Sequence, residues 1–214
     1  YYANIAPNKL GKLILRESWF EEFDLNSEVT TSIGSEAMIG SSSKDQKMSS
    51  EQIRLLNQTR EQLSAFPFKR KPYSHQITGI EFLLQNPSCA LLDEMGCGKS
   101  FQIASSVAML LQNKSINRCL IVAPKSLVRT WQEELTLATS RPYTAIEGSP
   151  AQRTKLMQSN TPIFIIHYEG IRLEKEALAQ WIQDGEGMIV FDESQRIKNL
   201  LAQTTVSAKF IRNS

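Results

Sequence analysis

Short apolar segments alternate with longer segments of helical pattern from about residue 72 onward, and this alternation strongly limits the possible folds. Strands that alternate with helices of about ten residues form parallel sheets, because a parallel connection needs a crossover and a helix supplies it. We therefore predict an α/β fold with a central, mainly parallel sheet flanked by helices. The predicted strands span residues 88–92, 118–123, 142–147, 162–167 and 187–191, and the predicted helices span residues 74–85, 99–112, 126–138, 150–158 and 170–183, with a last helix from about residue 202.

The chain before residue 72 has a less regular pattern. A helix is predicted over residues 50–65, where Ser50 can cap the N-terminus and leucine and isoleucine recur at helical spacing. The preceding segment is rich in Ser, Gly and Thr and has too few apolar residues to pack, so it is predicted to form a flexible linker or loop. We expect an N-terminal extension over residues 1–29, a linker over residues 30–50, and one domain over residues 51–214.

The composition says more about the cell compartment of the protein than about its binding partner. No run of 18 apolar residues occurs, so we expect no membrane-spanning segment and no membrane partner. The net charge of +2 is compatible with nucleic acid but does not by itself indicate it. Three cysteines without CxxC spacing suggest neither a zinc site nor disulfides. We expect an intracellular protein, in the cytoplasm or nucleoid if bacterial or viral and in the nucleus if eukaryotic.

A glycine-rich loop lies between the strand predicted at residues 88–92 and the helix predicted from residue 99. Glycines let main-chain N–H groups curve around phosphate oxygens, and the positive end of the following helix faces the same anion. Lys99 would neutralise phosphate charge, and the Ser100 hydroxyl would bind Mg²⁺. Asp93 stands where the pattern GxxxxGK[ST] has its first glycine, and the alternative is an ordinary strand-to-helix turn. The predicted ATP-binding residues of this loop are Met95, Gly96, Cys97, Gly98, Lys99 and Ser100.

An acidic pair, Asp192 and Glu193, follows the apolar run at residues 188–191. A carboxylate at a strand end can hold Mg²⁺, and its neighbour can orient an attacking water molecule. Taken alone, the pair is more typical of a solvated helix start, where acidic residues favour the helix dipole. The upstream phosphate loop favours the first interpretation, since α/β sheets bind ligands where parallel strands end.

The segments LLDEMGCGKSFQIA and VFDESQRIKN resemble motifs I and II of Snf2-type proteins, the DNA-translocating branch of superfamily 2 helicases. The Arg-Ile-Lys-Asn sequence after the acidic box is the most discriminating part, and in that family Asp commonly replaces the first loop glycine. The family box usually has His or a similar residue where this chain has Gln195, whose amide still offers a donor and an acceptor. The resemblance implies a RecA-like P-loop NTPase lobe that uses ATP and Mg²⁺, with Glu193, Lys99 and Gln195 as catalytic residues and Ser100 and Asp192 as metal ligands.

Weaker segments agree with this resemblance. PYSHQITG resembles the Q motif, which implies that the Gln76 amide binds the adenine edge. LIVAPKSL resembles motif Ia, which implies that Lys125 and Ser126 contact the nucleic-acid backbone. The strand that ends at Tyr168 also resembles a family segment, and we expect Tyr168 to line the nucleic-acid path.

Two other residues are expected to be structural. Trp131 is expected to be a core or interface aromatic more than a platform for base stacking. His167, at the end of a buried strand, is expected to be a hydrogen-bonded structural histidine.

The resemblance implies the first lobe of a DNA-dependent ATPase that moves along double-stranded DNA and remodels protein–DNA or DNA structures. The chain starts without Met and ends soon after Asn199, so we expect a fragment that stops before motif III and lacks the second RecA-like lobe. Full ATP hydrolysis is then expected only with that lobe. One alternative is another superfamily 2 enzyme, such as a restriction-type translocase or an RNA-directed helicase. The other is a non-catalytic interaction module that binds nucleotide or nucleic acid.

Overall fold

The computed structural model describes residues 2–5, 50–86, 88–93, 96–197, 199 and 201–213. Most of the predicted extension and linker therefore lie outside the described residues. Within the described part, no helix is both long enough and apolar enough to cross a lipid bilayer.

The described elements follow the predicted alternation closely. The strands are β1 (Tyr2–Ile5), β2 (Ser88–Ala90), β3 (Arg118–Ala123), β4 (Tyr143–Ala145), β5 (Ile163–His167) and β6 (Gly187–Phe191). The helices are α1 (Ser50–Ala65), α2 (Ser74–Gln85), α3 (Lys99–Gln112), α4 (Val128–Ala138), α5 (Pro150–Met157), α6 (Tyr168–Leu173), α7 (Lys175–Gln183) and α8 (Gln203–Asn213). Two 3₁₀ turns, Lys125–Leu127 and Ser194–Ile197, follow β3 and β6.

The strands form one sheet in the order β2-β1-β6-β3-β5-β4. Strands β6, β3, β5 and β4 are parallel neighbours, whereas β1 is antiparallel to both β2 and β6. The mainly parallel sheet is therefore confirmed. Ala90 of β2 and Phe191 of β6 both pair with Tyr2, so the two strands run in the same direction and end at the same edge of the sheet.

Both faces of the sheet are covered by helices. On β3, Cys119 and Ile121 pack into a cluster with side chains of α3 and α4, while Leu120 and Val122 pack into a second cluster with α6, α7 and α8. Because the inner positions of β3, β5 and β6 are buried on one face or the other, these strands are apolar runs without polar alternation. Because the strands are buried, their ends are held in place, and the polar loops begin at these ends.

The structure divides one predicted helix. Residues 170–183 were expected to be continuous, but α6 and α7 meet at Glu174, whose φ of −118° and ψ of 18° are not helical. Arg153 of α5 donates from Nε to Glu174 Oε1 at 2.8 Å and from Nη1 to the Gly148 main-chain oxygen at 2.7 Å. Helical periodicity cannot reveal this ion pair, because its partners lie on separate elements.

Candidate nucleotide and magnesium site

The phosphate loop takes the backbone conformation that its glycines allow. Gly96 has a φ of 89° and Gly98 a φ of 69°, both in the left-handed region that side-chain-bearing residues avoid. Gly98 is the N-cap of α3, so the loop leads directly into a helix of 14 residues whose first residues are Lys99 and Ser100. The loop and the positive end of α3 can therefore face one anion together.

Two buried side-chain amides donate hydrogen bonds to the phosphate loop. Gln76 of α2 and Gln102 of α3 both donate to the main-chain oxygen of Cys97, at 3.3 and 3.1 Å between nitrogen and oxygen. Gln102 also donates to Asp93 Oδ2 at 3.1 Å. The Cys97 carbonyl thus has two side-chain donors, which tie the phosphate loop to α2 and α3.

Gln102 was not among the residues predicted from the sequence. The available signal was a glutamine between Phe101 and Ile103 near the beginning of α3, and the structure shows that its side chain is fully buried. The hydrogen bonds of its side-chain amide account for a glutamine at this position, one turn after the loop. The Asp93 carboxylate, which replaces the first loop glycine, is one of its two acceptors.

Lys99 and Gln76 make protein contacts in this structure. Lys99 Nζ donates to the main-chain oxygen of Asp93 at 2.7 Å, which places the ammonium over the loop. Gln76 is 3% exposed, and its Oε1 accepts from the Tyr73 N–H at 3.1 Å. The Gln76 amide thus connects the start of α2 to the phosphate loop, and its contact with adenine stays a prediction.

Asp192 follows β6 and is fully buried. Its N–H donates to the Val122 oxygen at 2.9 Å, its main-chain oxygen accepts from the Tyr168 hydroxyl at 2.5 Å, and its Oδ2 accepts from Trp131 Nε1 at 2.8 Å. Burial raises the pKa of the Asp192 carboxyl, the Trp131 hydrogen bond opposes this rise, and the nearby Glu193 charge adds to it. Trp131 is thus confirmed as a core aromatic, and it also contacts the predicted magnesium ligand.

Glu193 has a φ of 50°, a left-handed conformation that is uncommon for a residue with a side chain. Such backbone strain concentrates at functional sites. It arises here where the chain leaves β6 and enters the 3₁₀ turn at Ser194–Ile197. Two other predicted site residues cannot be placed, because Met95 and the side chain of Gln195 lie outside what the structure describes.

The two halves of the site lie at the same sheet edge, separated by β1. With neighbouring strands about 4.8 Å apart, the ends of β2 and β6 are roughly 10 Å apart. Among the described residues, none offers a hydrogen-bond partner to the buried Asp192 Oδ1. A buried carboxylate oxygen without a donor fits a cation, and Mg²⁺ prefers oxygen ligands such as Asp192 and the Ser100 hydroxyl.

The predicted DNA-contacting residues divide into two groups. Lys125 and Ser126 are exposed in the 3₁₀ turn after β3, near the sheet edge at which the phosphate loop also lies. Tyr168, by contrast, is 2% exposed and donates its hydroxyl to the Asp192 main chain. The placement of Tyr168 in the nucleic-acid path is therefore corrected, because its ring has almost no surface to offer. His167 is confirmed as structural, since its Nδ1 accepts from the Gly170 N–H and caps α6.

Comparison with known proteins identifies the family. A sequence family described as the SNF2-related domain matches residues 75–214, which is more than half of the chain. The chain belongs to this family. The Snf2-type, helicase-like lobe that motifs I and II predicted is therefore confirmed, and this SNF2-related domain contains all the predicted site residues.

Relatives include RAD54-like DNA repair and recombination proteins. The protein of Gallus gallus is 33% identical over 61% of this chain and 21% of its own length. The protein of Drosophila persimilis is 31% identical over 58% of this chain and 19% of its own length. The chain thus spans about a fifth of the length of these relatives.

A solved structure has a similar fold. It is the SWI2/SNF2 ATPase core of Sulfolobus solfataricus in complex with double-stranded DNA, with a TM-score of 0.58 and 21% identity. The similarity covers 68% of this chain and 31% of the other. It supports the α/β architecture that the strand and helix pattern predicted, and the RecA-like lobe that the resemblance to Snf2-type proteins implied.

Proposed function

We propose that this chain is the ATP- and magnesium-binding lobe of a DNA-dependent ATPase of the Snf2 type. The observation that carries the proposal is the shared sheet edge of the phosphate loop and the Asp192-Glu193 pair. Lys99 would neutralise the charge of the outer phosphates, and Ser100 with Asp192 would hold Mg²⁺. Glu193 would orient the attacking water molecule, and the Gln195 amide would connect magnesium and water to the rest of the cleft.

Duplex DNA is the proposed nucleic-acid partner. Lys125 and Ser126 are exposed, and a lysine followed by a hydroxyl residue at a turn suits contact with the phosphate backbone. The similar Sulfolobus core is described as bound to double-stranded DNA, and the RAD54-like relatives are described as DNA repair and recombination proteins. We propose that the parent protein moves along DNA and remodels protein–DNA or DNA structures.

Efficient hydrolysis is proposed to need a second lobe. In P-loop ATPases an arginine from a facing surface stabilises charge on the transferred phosphate and contributes about a thousandfold or more in rate. The described residues would form one wall of such a cleft. The chain by itself should therefore bind Mg²⁺ and ATP but turn over slowly, well below the roughly 1–100 s⁻¹ of kinases.

A rival function is a non-catalytic interaction module that no longer uses its nucleotide site. A melting experiment separates the two possibilities, because a ligand at 100 times its dissociation constant stabilises the folded state by about 2.7 kcal/mol. We expect Mg²⁺ and ATP to raise the melting temperature of the wild-type chain. Lys99→Ala should lose most of this rise, because the ammonium that neutralises the phosphates is gone.

Lys155→Ala is the matched control, since Lys155 is an exposed lysine on α5 away from the sheet edge. It should respond to nucleotide like the wild type. An unchanged wild-type melting temperature would favour the rival module. Steady-state turnover at kinase-like rates, abolished by Lys99→Ala, would contradict the proposed need for a second lobe.

A further inference from the structure

The two oxygens of the Asp192 carboxylate have different surroundings. Oδ2 accepts a hydrogen bond from the indole N–H of Trp131 at 2.8 Å. Oδ1 is equally buried but finds no hydrogen-bond donor among the residues that the structure describes. The indole therefore fixes the rotation of the carboxylate and distinguishes one oxygen from the other.

Trp131 is itself held firmly. It is fully buried on α4 and packs in the same apolar cluster as Ile121 of β3 and Val190 of β6. A large ring confined in this way has little freedom to move its N–H away from Asp192. The position of the donor is thus set by the packing of α4 on the sheet.

We propose that Trp131 is a positioning residue for magnesium: its indole N–H occupies Asp192 Oδ2 and leaves Oδ1 as the oxygen that binds the cation. This inference rests on the proposed function. Hydrogen bonds from a second layer of residues orient metal ligands, and their loss typically lowers metal affinity about 10–100-fold. The alternative is that Trp131 only fills space in the core.

Trp131→Phe tests the inference, because it removes the N–H and keeps a large aromatic ring. The affinity for the non-hydrolysable ATP analogue AMP-PNP is measured as a function of Mg²⁺ and again in excess EDTA. In the Trp131→Phe variant, we expect the Mg²⁺ concentration that gives half of the maximal gain in AMP-PNP affinity to rise about 10–100-fold. The affinity in EDTA should stay at the wild-type value, since the phosphate loop is untouched.

Trp181→Phe is the matched control. Trp181 stacks on Phe164 at 4.1 Å between ring centroids, on the other face of the sheet. The Trp181→Phe variant should leave the Mg²⁺ dependence of AMP-PNP affinity unchanged. An unchanged Mg²⁺ dependence in Trp131→Phe would overturn the inference, and so would an equal loss of affinity with and without metal, which indicates packing alone.

A second measurement keeps the inference testable if Trp131→Phe does not fold. The chain has three tryptophans, so the wild type gives three indole N–H resonances, and Trp19→Phe and Trp181→Phe assign the third by elimination. We expect the Trp131 resonance to shift when Mg²⁺ is added to the AMP-PNP complex. A stationary resonance would overturn the inference. A wild-type chain without Mg²⁺-dependent nucleotide binding would overturn the proposed function as well.

Discussion

Gly96 and Gly98 both have positive φ, but their surroundings differ. Among the residues that the structure describes, a Cβ atom added to Gly96 would meet no heavy atom within 4 Å, whereas one added to Gly98 would lie 2.4 Å from Gln76 Nε2. Alanine at either position has the cost of a left-handed backbone, about 1–2 kcal/mol. Only at Gly98 must the buried Gln76 amide also move, and it then loses its bond to the Cys97 oxygen.

We therefore expect Gly98→Ala to lower the free energy of unfolding by about 1 kcal/mol more than Gly96→Ala, the value of one hydrogen bond. Gly98→Ala should also weaken nucleotide binding more than Gly96→Ala does, because the phosphate loop loses the hydrogen bond from Gln76. Urea unfolding and AMP-PNP titration of the two variants measure both effects. Equal losses in the two variants would show that Gln76 does not support the loop.

At the scale of elements, one buried ion pair joins α5 to the junction of α6 and α7. The side chains of Arg153 and Glu174 are only 10% and 14% exposed, whereas those of Arg129 and Glu133 on α4 are 88% and 63% exposed. Removing one partner of a buried pair leaves a charge without compensation, which costs about 3–5 kcal/mol. An exposed pair one helical turn apart contributes about 0.3–0.5 kcal/mol.

We expect Glu174→Gln to lower the free energy of unfolding by about 3 kcal/mol, because Arg153 keeps its charge and loses the carboxylate. The matched change Glu133→Gln should cost less than about 0.5 kcal/mol. Denaturant unfolding of both variants gives the comparison. If Glu174→Gln were as mild as Glu133→Gln, the junction would not depend on the ion pair.

At the scale of the whole molecule, the net charge of +2 is low, so the proposed DNA binding should depend on local cations. Each phosphate contact releases counterions and adds close to one unit to the slope of affinity against salt concentration on logarithmic axes. Lys125→Ala should therefore weaken duplex DNA binding similarly for all sequences and reduce this slope by about one.

Fluorescence anisotropy with labelled duplex DNA at several salt concentrations measures the change. Lys155→Ala removes the same charge from α5 and should leave the slope unaltered. An equal effect of both substitutions would indicate that general charge, not the turn after β3, governs binding.

The sequence was sufficient to predict what depends on local pattern. Strands β3 and β6 and helices α2 and α3 have the predicted bounds, because apolar runs and helical spacing are properties of neighbouring residues. The phosphate loop could be predicted because its glycines and the lysine are adjacent in sequence. Contacts between distant segments could not, since a pattern does not encode which side chains meet after packing.

Trp131 and Gln102 illustrate this difference. Trp131 lies 61 positions before Asp192, and only the packing of α4 on the sheet brings its N–H to the carboxylate. Gln102 lies between Phe101 and Ile103 in α3, and nothing in this local pattern shows that its amide meets Asp93 and Cys97. Tyr168 shows the opposite error, because the resemblance to a family segment suggested a place in the nucleic-acid path and its ring is buried.

The described sheet ends in very short strands. Both edge strands, β2 and β4, have three residues. An edge of this length offers few main-chain groups to the strand of another molecule, so edge-to-edge growth gains little. Contacts of other proteins with the described sheet edges would therefore depend on side chains and loops more than on strand pairing, and concentrated samples should resist amyloid-like stacking through these edges.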